Sequence, residues 1–276
     1  MKMFPTTRSE LIDNLINFSE TELPSYSKNR NFDFGPPHKN VSKLSPYLRT
    51  RFITEEEVLK IAVSKNNLKT IEKFIEEIFW RTYWRGWLES HPWIYNEFLN
   101  TSKDQTLPKK TGIKCFDFWK EELLDTGYLH NHSRMWFASI WIFTLGYSWQ
   151  SGADFFKKNL LDFCPASNTL GWRWVAGLQT INKPYLAMAD NISYFTYGRF
   201  NPGNQLNKRV NLNFSDQKNN HTLKFVEPKK NQFKNIDKLG IILNKNDLTL
   251  NHILEDKQLA YDCCVYSIEH QNSMIN

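Results

Sequence analysis

Apolar and polar side chains almost never alternate convincingly over the first 200 residues, whereas helical spacing recurs, and this restricts the chain to a mainly helical fold. Ile71, Phe74, Ile75, Ile78 and Phe79 fall at i, i+3, i+4, i+7 and i+8, one stripe of an amphipathic helix that leaves Glu77 and Arg81 a turn apart on another face. Thr54 followed by Glu57 predicts a capping box for a helix running through Val58, Ile61 and Ala62. Leu11, Ile12, Leu15 and Ile16 predict a short opening helix, and Ser45-Pro46 can begin a turn or helix. Asp125-Thr126-Gly127 breaks the chain before a long buried helix from about Leu129 to Gly146, and Ser151 and Asp154 suit a further start.

With 276 residues, 41% of them hydrophobic, the chain can build a sizeable core without covalent staples. The four cysteines, Cys115, Cys164, Cys263 and Cys264, have no CxxC spacing, so no metal site or disulfide framework is expected and a reducing cytoplasm fits best. Met1–Leu15 is broken by Pro5, Arg8, Glu10 and Asp13 and offers no signal-peptide core; Met135–Trp149 is too short for an ordinary membrane span. A net charge of +6 favours an anionic partner. Ten tryptophans, eleven tyrosines and twenty phenylalanines exceed ordinary core needs, and stacking on bases or a flat cofactor is one use for the excess. Beyond Pro202 the chain turns Asn- and Lys-rich: 204–237 is expected to be loose, and within the polar extension 206–276 the apolar segments 239–243 and 259–266 could form a strand or short helices.

Several short motifs occur in a telling order. Ser42-x-Leu44-Ser45-Pro46-Tyr47-Leu48 is followed by Trp80-Arg81, Lys110-Thr111-Gly112, His130-Asn131-x-x-Arg134-Met135, Ala166-Ser167-Asn168, Trp172-x-Trp174 and Phe200-Asn201-Pro202. In order and spacing this series resembles the FAD-binding domain of the DNA photolyase and cryptochrome family over about residues 26–205. Only about 25 residues precede the first match, so the chain looks most like short photolyase-like proteins without the Rossmann-like antenna domain.

The resemblance implies a mostly α-helical domain around FAD. The implied cofactor contacts are Tyr26, Ser42, Leu44, Ser45 and Arg81, then Arg134 paired with Asp162 beside the flavin ring, and Asn168 near flavin N5. Cys164 stands where many relatives carry aspartate, and Val41 replaces a common threonine. Read alone, Ser42 and Ser45 could be helix caps, and Arg134–Asp162 a structural salt bridge. Trp172 and Trp149 match the first two tryptophans of an electron relay; Trp93 is the candidate outer member.

For the lesion side, the resemblance assigns Trp80 to stacking, Glu77 to hydrogen bonding of the bases, and Met135 and Asn131 to the pocket wall. Glu77, Trp80, Asn168 and Met135 form the expected catalytic set. Tyr128 replaces a second tryptophan, as in members that prefer single-stranded DNA. With no histidine at Asn131 or Met135, (6-4) repair is disfavoured; His130 and His132 are expected to be structural. Arg199, Gln205, Lys183 and Arg173 could contact phosphates. The expected activity is light-dependent repair of cyclobutane pyrimidine dimers in UV-damaged DNA by a monomeric lyase. The alternatives are a light-sensing flavoprotein and a helical nucleic-acid binder without FAD.

Overall fold

The computed structural model describes residues 4–101, 108–180, 183–207 and 247–248. These residues form helices and turns, with one isolated β-bridge position at Asp247. The apolar segments expected near 239–243 and 259–266, like Cys263 and Cys264, lie outside the described residues.

Helix α1 (Arg8–Thr21) begins at a capping box formed by Thr7 and Glu10. It packs on α4 (Glu55–Lys65), whose expected box is present: Glu57 N donates to Thr54 Oγ1 at 3.3 Å, and Thr54 N donates to Glu57 Oε2 at 2.9 Å. Between them lie two short helices, α2 (Tyr26–Asn29) and α3 (Ser45–Arg49). Helix α5 (Leu68–Ser90) carries the expected apolar stripe: Ile71, Phe74 and Ile78 are buried with Leu11, Leu15, Ile53 and Val58 in one core. Each such side chain contributes roughly 1.5–3 kcal/mol by leaving water. Phe79, at the edge of the stripe, is exposed.

A second core gathers α7 (Lys114–Thr126), α8 (Asn131–Ser139), α9 (Trp149–Asn159) and α10 (Pro165–Val175) around Phe116, Trp119, Trp136, Phe137 and Trp141. Helix α6 (Pro92–Asn100) follows α5, and α11 (Ala189–Phe195) closes the order. Helix α10 packs on both α5 and α9, and its N-terminal half joins a third, smaller core in which Cys164, Ala166 and Leu170 meet Leu88 and Ile94.

Two local readings need correction. The expected helix from Leu129 to Gly146 starts at Asn131, capped by His130, and becomes a π-helical turn over Ile140–Thr144, where Leu145 N bonds Ile140 O at 2.9 Å. Wide turns of this kind let bulky aromatic residues reset their facing, which periodicity in sequence does not reveal. The start expected at Ser151 or Asp154 lies at Trp149, because Ser148 accepts the amide of Ser151 and so acts as the cap.

Candidate functional site

The N-terminus of α10 borders a cavity of about 350 Å³ lined by Arg49, Arg81, Arg85, Tyr95, Cys164 and Ala166, among others. Arg49 comes from α3, Arg81 and Arg85 from successive turns of α5, and Tyr95 from α6. Arg49 Nε donates to Phe163 O at 2.5 Å, which fastens α3 to the loop before α10. Arg81 donates to Leu48 O at 3.2 Å and faces Glu55 at 3.4 Å. Cys164, the N-cap of α10, makes no side-chain capping bond. The positive end of this 11-residue helix therefore lines the same cavity as three guanidinium groups, with Glu89 as an opposing charge. Such a surface suits a flexible anionic ligand.

Arg134 on α8 meets Asp162 in two parallel bonds of 3.1 and 2.8 Å, and its Nε donates to Leu129 O at 2.9 Å. Asp162 is buried. Burial opposes the charge on Arg134, but the carboxylate outweighs it and holds the guanidinium above its ordinary pKa. One turn into α10, Asn168 is buried; its Nδ2 donates to Ala153 O at 2.8 Å while its Oδ1 has no hydrogen-bond partner. A buried acceptor left open is costly unless a ligand or water completes it. Trp172, a further turn along, is buried with its Nε1 likewise unpartnered, edge-on to Phe156 at 5.1 Å and to Trp141 at 6.0 Å.

The cavity thus includes Arg81 and Cys164, and Asn168 stands one turn beyond it on α10. Leu44 is buried as the N-cap of α3, with Ser45 in its first turn and Ser42 partly buried just before. Tyr26 packs edge-on to Phe74 at 5.3 Å and to Phe18 at 6.4 Å, and burial, helped by Glu77, raises its phenol pKa. Glu77 accepts from Arg30 at 2.5 Å. Arg30 was missed in sequence; its position one turn after Tyr26 was the available signal.

Trp80 is 48% exposed, stacked on Trp84 at 5.9 Å and edge-on to Tyr83. Asn131 is exposed and Met135 half-buried, one turn apart on α8. Tyr128, which the resemblance sets in the place of a second lesion-side tryptophan, is buried, with Phe4 edge-on at 5.6 Å, His38 at 5.6 Å and the Arg134 guanidinium at 5.2 Å. The N-terminal segment covers it, held where Tyr47 Oη donates to Pro5 O at 2.8 Å.

Trp149 stacks on Phe98 at 5.9 Å with Arg173 over its ring at 5.8 Å, and Trp93 lies near His91. Arg199, expected at a phosphate, instead pairs with buried Asp33 at 3.0 Å and lies over the Phe118 and Phe200 rings. Gln205 donates to Gly112 O at 3.0 Å, and Lys183 is exposed. His130 caps α8, and His132 stacks on Trp136 at 3.9 Å and bonds Asn31 O. Among the described residues no cluster of His, Cys, Asp and Glu could hold a metal, and no helix is long and apolar enough to cross a membrane.

A helical body with an arginine-lined cavity at the start of α10 suits an anionic cofactor. Residues 74–209 match the family model described as the FAD binding domain of DNA photolyase. Over this stretch the chain is similar to the DNA photolyase and cryptochrome family. It is 31% identical to a deoxyribodipyrimidine photo-lyase of Alkalihalophilus pseudofirmus, over 66% of this chain and 40% of that protein. A class III photolyase structure from Agrobacterium tumefaciens superposes with a TM-score of 0.57 at 26% identity, covering 68% of this chain and 42% of that one. A Synechocystis cryptochrome shares the fold, with a TM-score of 0.56 at 21% identity over 70% of this chain and 44% of that one. The chain spans about two fifths of the length of the curated relatives it matches first.

Proposed function

We propose that this domain holds FAD in the space bounded by α3, α5, α8 and the start of α10, and uses it for light-driven splitting of cyclobutane pyrimidine dimers in DNA. The observation that carries the reading is the arginine-lined cavity at the start of α10, near which in the chain stand Asp162, paired with Arg134, and Asn168 with its unpartnered Oδ1.

These residues fit the group. Arg81, with Arg49 and Arg85, and the amides at the start of α10 would take the diphosphate; Ser42 and Ser45 would add hydroxyls. Asn168 offers an acceptor to a ring N–H, and Arg134, fixed by Asp162, places a positive charge that favours an anionic reduced ring. Bound flavin would supply the photoexcited electron donor. Around it, Trp80 gives a stacking face, Glu77 an acceptor for base-edge N–H groups with Arg30 fixing its carboxylate, and Asn131 and Met135 a wall. Trp172 and Trp149 would serve as the inner relay rings.

Tyr128 favours a second reading. Covered by Phe4, it narrows the lesion side, and a light-sensing flavoprotein would need no lesion pocket. The discriminating experiment loads the full chain with FAD, photoreduces it and irradiates it with an oligonucleotide bearing a thymine dimer. Dimer loss above the light-only control supports repair. Retained flavin without dimer loss supports sensing. A chain that retains no flavin refutes both.

A further inference from the structure

We propose that Phe32, Phe34, Tyr194 and Tyr197 form a platform that stacks unpaired bases of a single DNA strand flanking the lesion site. The inference rests on the reading of DNA as the substrate. Phe32 and Phe34 lie parallel, 5.6 Å apart with a 7° angle between rings; Phe32 touches Tyr194 at 5.5 Å, and Phe34 touches Tyr197 at 6.2 Å. Three of the four rings are well exposed: Phe34 by 46%, Tyr194 by 65% and Tyr197 by 79%. Contiguous exposed rings in a basic protein do little for folding and suit base stacking, which uses the π-face that every base shares.

Two features hold the rings outward and fixed. Tyr197 adopts φ +55°, a left-handed conformation that is costly for a bulky residue, in a turn closed by Gly198 N to Ser193 O at 2.8 Å. On the other loop, Asp33 is fully buried and accepts from Gly35 N at 2.8 Å, Ser133 Oγ at 2.7 Å, Trp119 Nε1 at 3.1 Å and Arg199. Gly35, at φ +82°, lies against the Arg199 guanidinium where a Cβ would collide. His38, bound to Glu122 and facing Asp33, fixes the far side of the loop. The buried Asp33 network therefore anchors the segment that displays Phe34.

The platform adjoins the pocket through the chain itself. Arg30 holds Glu77, and Asn31 O receives a bond from His132 beside Asn131. From Arg30 to Phe34 is four residues, a reach of at most about 14 Å. A strand with its lesion at Glu77 and Trp80 would bring neighbouring bases over these rings. Exposed Lys39 and half-buried Lys43, close together on the same loop, supply cations for its phosphates.

The test uses the full chain and its Phe34→Ser/Tyr197→Asn double variant. Binding of fluorescent single-stranded oligo(dT), undamaged and without added flavin, isolates the platform from the photochemistry. The variant should bind about 10-fold or more weakly, while melting as the wild type does. With flavin bound, splitting of a thymine-dimer dinucleotide, which has no flanking bases, should be unchanged, and splitting within a 12-mer should show a raised KM. Equal oligo(dT) binding by the two proteins overturns the platform. So does failure of the wild type to bind oligo(dT), or a wild-type self-association in sedimentation that the variant loses. Oligo(dT) binding that the variant loses, together with no repair of any dimer by the wild type, leaves the platform standing and refutes the repair reading alone.

Discussion

Replacing Asp162 by Asn keeps the side chain's size and removes its charge, leaving Arg134 facing a neutral amide in a nearly dry place. The Asp162 side chain is 3% exposed and that of Arg134 is 23% exposed, with two bonds joining them. Removing one partner of a buried pair costs about 3–5 kcal/mol. Arg134 keeps its bond to Leu129 O and some contact with water, so the loss should fall at the lower end, about 3 kcal/mol. For a domain of this size that lowers the melting temperature by roughly 6–12 °C. Urea denaturation followed by circular dichroism at pH 7 measures it. Lys158→Ala is the control: its partner Asp154 is one turn away on the same helix, and Lys158 is 71% exposed, so the loss should stay under about 0.5 kcal/mol. An Arg134→Gln/Asp162→Asn double variant should lose less than the two single losses added together, since no unpaired charge remains. A loss under about 1 kcal/mol for Asp162→Asn would refute the assignment of this pair as a buried, mutually dependent charge couple.

Burial, reinforced by His38 and His132 and only partly opposed by Asp33, pushes the His130 imidazole down to about 4. At pH 7 the ring is neutral folded or unfolded, but between about 6.5 and 4 the unfolded chain takes the proton first, so stability should fall by up to about 3 kcal/mol. His130→Asn retains a capping acceptor for His132 N and should flatten that slope in urea midpoints taken at pH 7, 5.5 and 4.5; an unchanged slope would exclude His130 as its source. Asp33 acts at lower pH: burial opposes its ionisation, yet Ser133, His130, Arg199 and His38 together hold its pKa below the usual value, so its contribution disappears only below about 4. Gly152→Ala would drive a Cβ into the edge of the Trp172 ring, costing about 1–3 kcal/mol and shifting tryptophan emission; an unperturbed spectrum would contradict the close α9–α10 contact. Asn168→Ala removes the donor to buried Ala153 O, with a stability loss of about 1–2 kcal/mol and weaker flavin retention; wild-type retention would remove Asn168 from the site.

Much of the helical order was legible because it rests on local interactions. The α5 stripe follows from spacing alone, and the Thr54–Glu57 box from two residues three apart. The motif series contains Arg134 and Asn168, and the resemblance it carries adds Asp162 as the partner of Arg134, since such assignments depend on residue type and order. The π turn after α8 escaped notice because it is chosen by how Phe137, Trp141 and their neighbours pack. Arg199 looked like a free surface cation, yet its partner Asp33 is 166 residues away. Arg30, likewise, acquires significance only when α2 folds against α5.

The amino-acid sequence by itself determined that the chain is helical, where most helices begin, and which residues match a flavin-binding family. Helical period and capping are set by neighbours within a turn, and motif order is a property of the chain. Only the tertiary structure decided which polar groups lose water and which keep it. It buried Asp33 under Arg199, shut Tyr128 beneath Phe4, left Asn168 Oδ1 without a donor and set Tyr197 outward. The physical reason is that desolvation is fixed by distant segments meeting, and the strength of a charge or an open hydrogen-bonding atom depends on the water excluded around it.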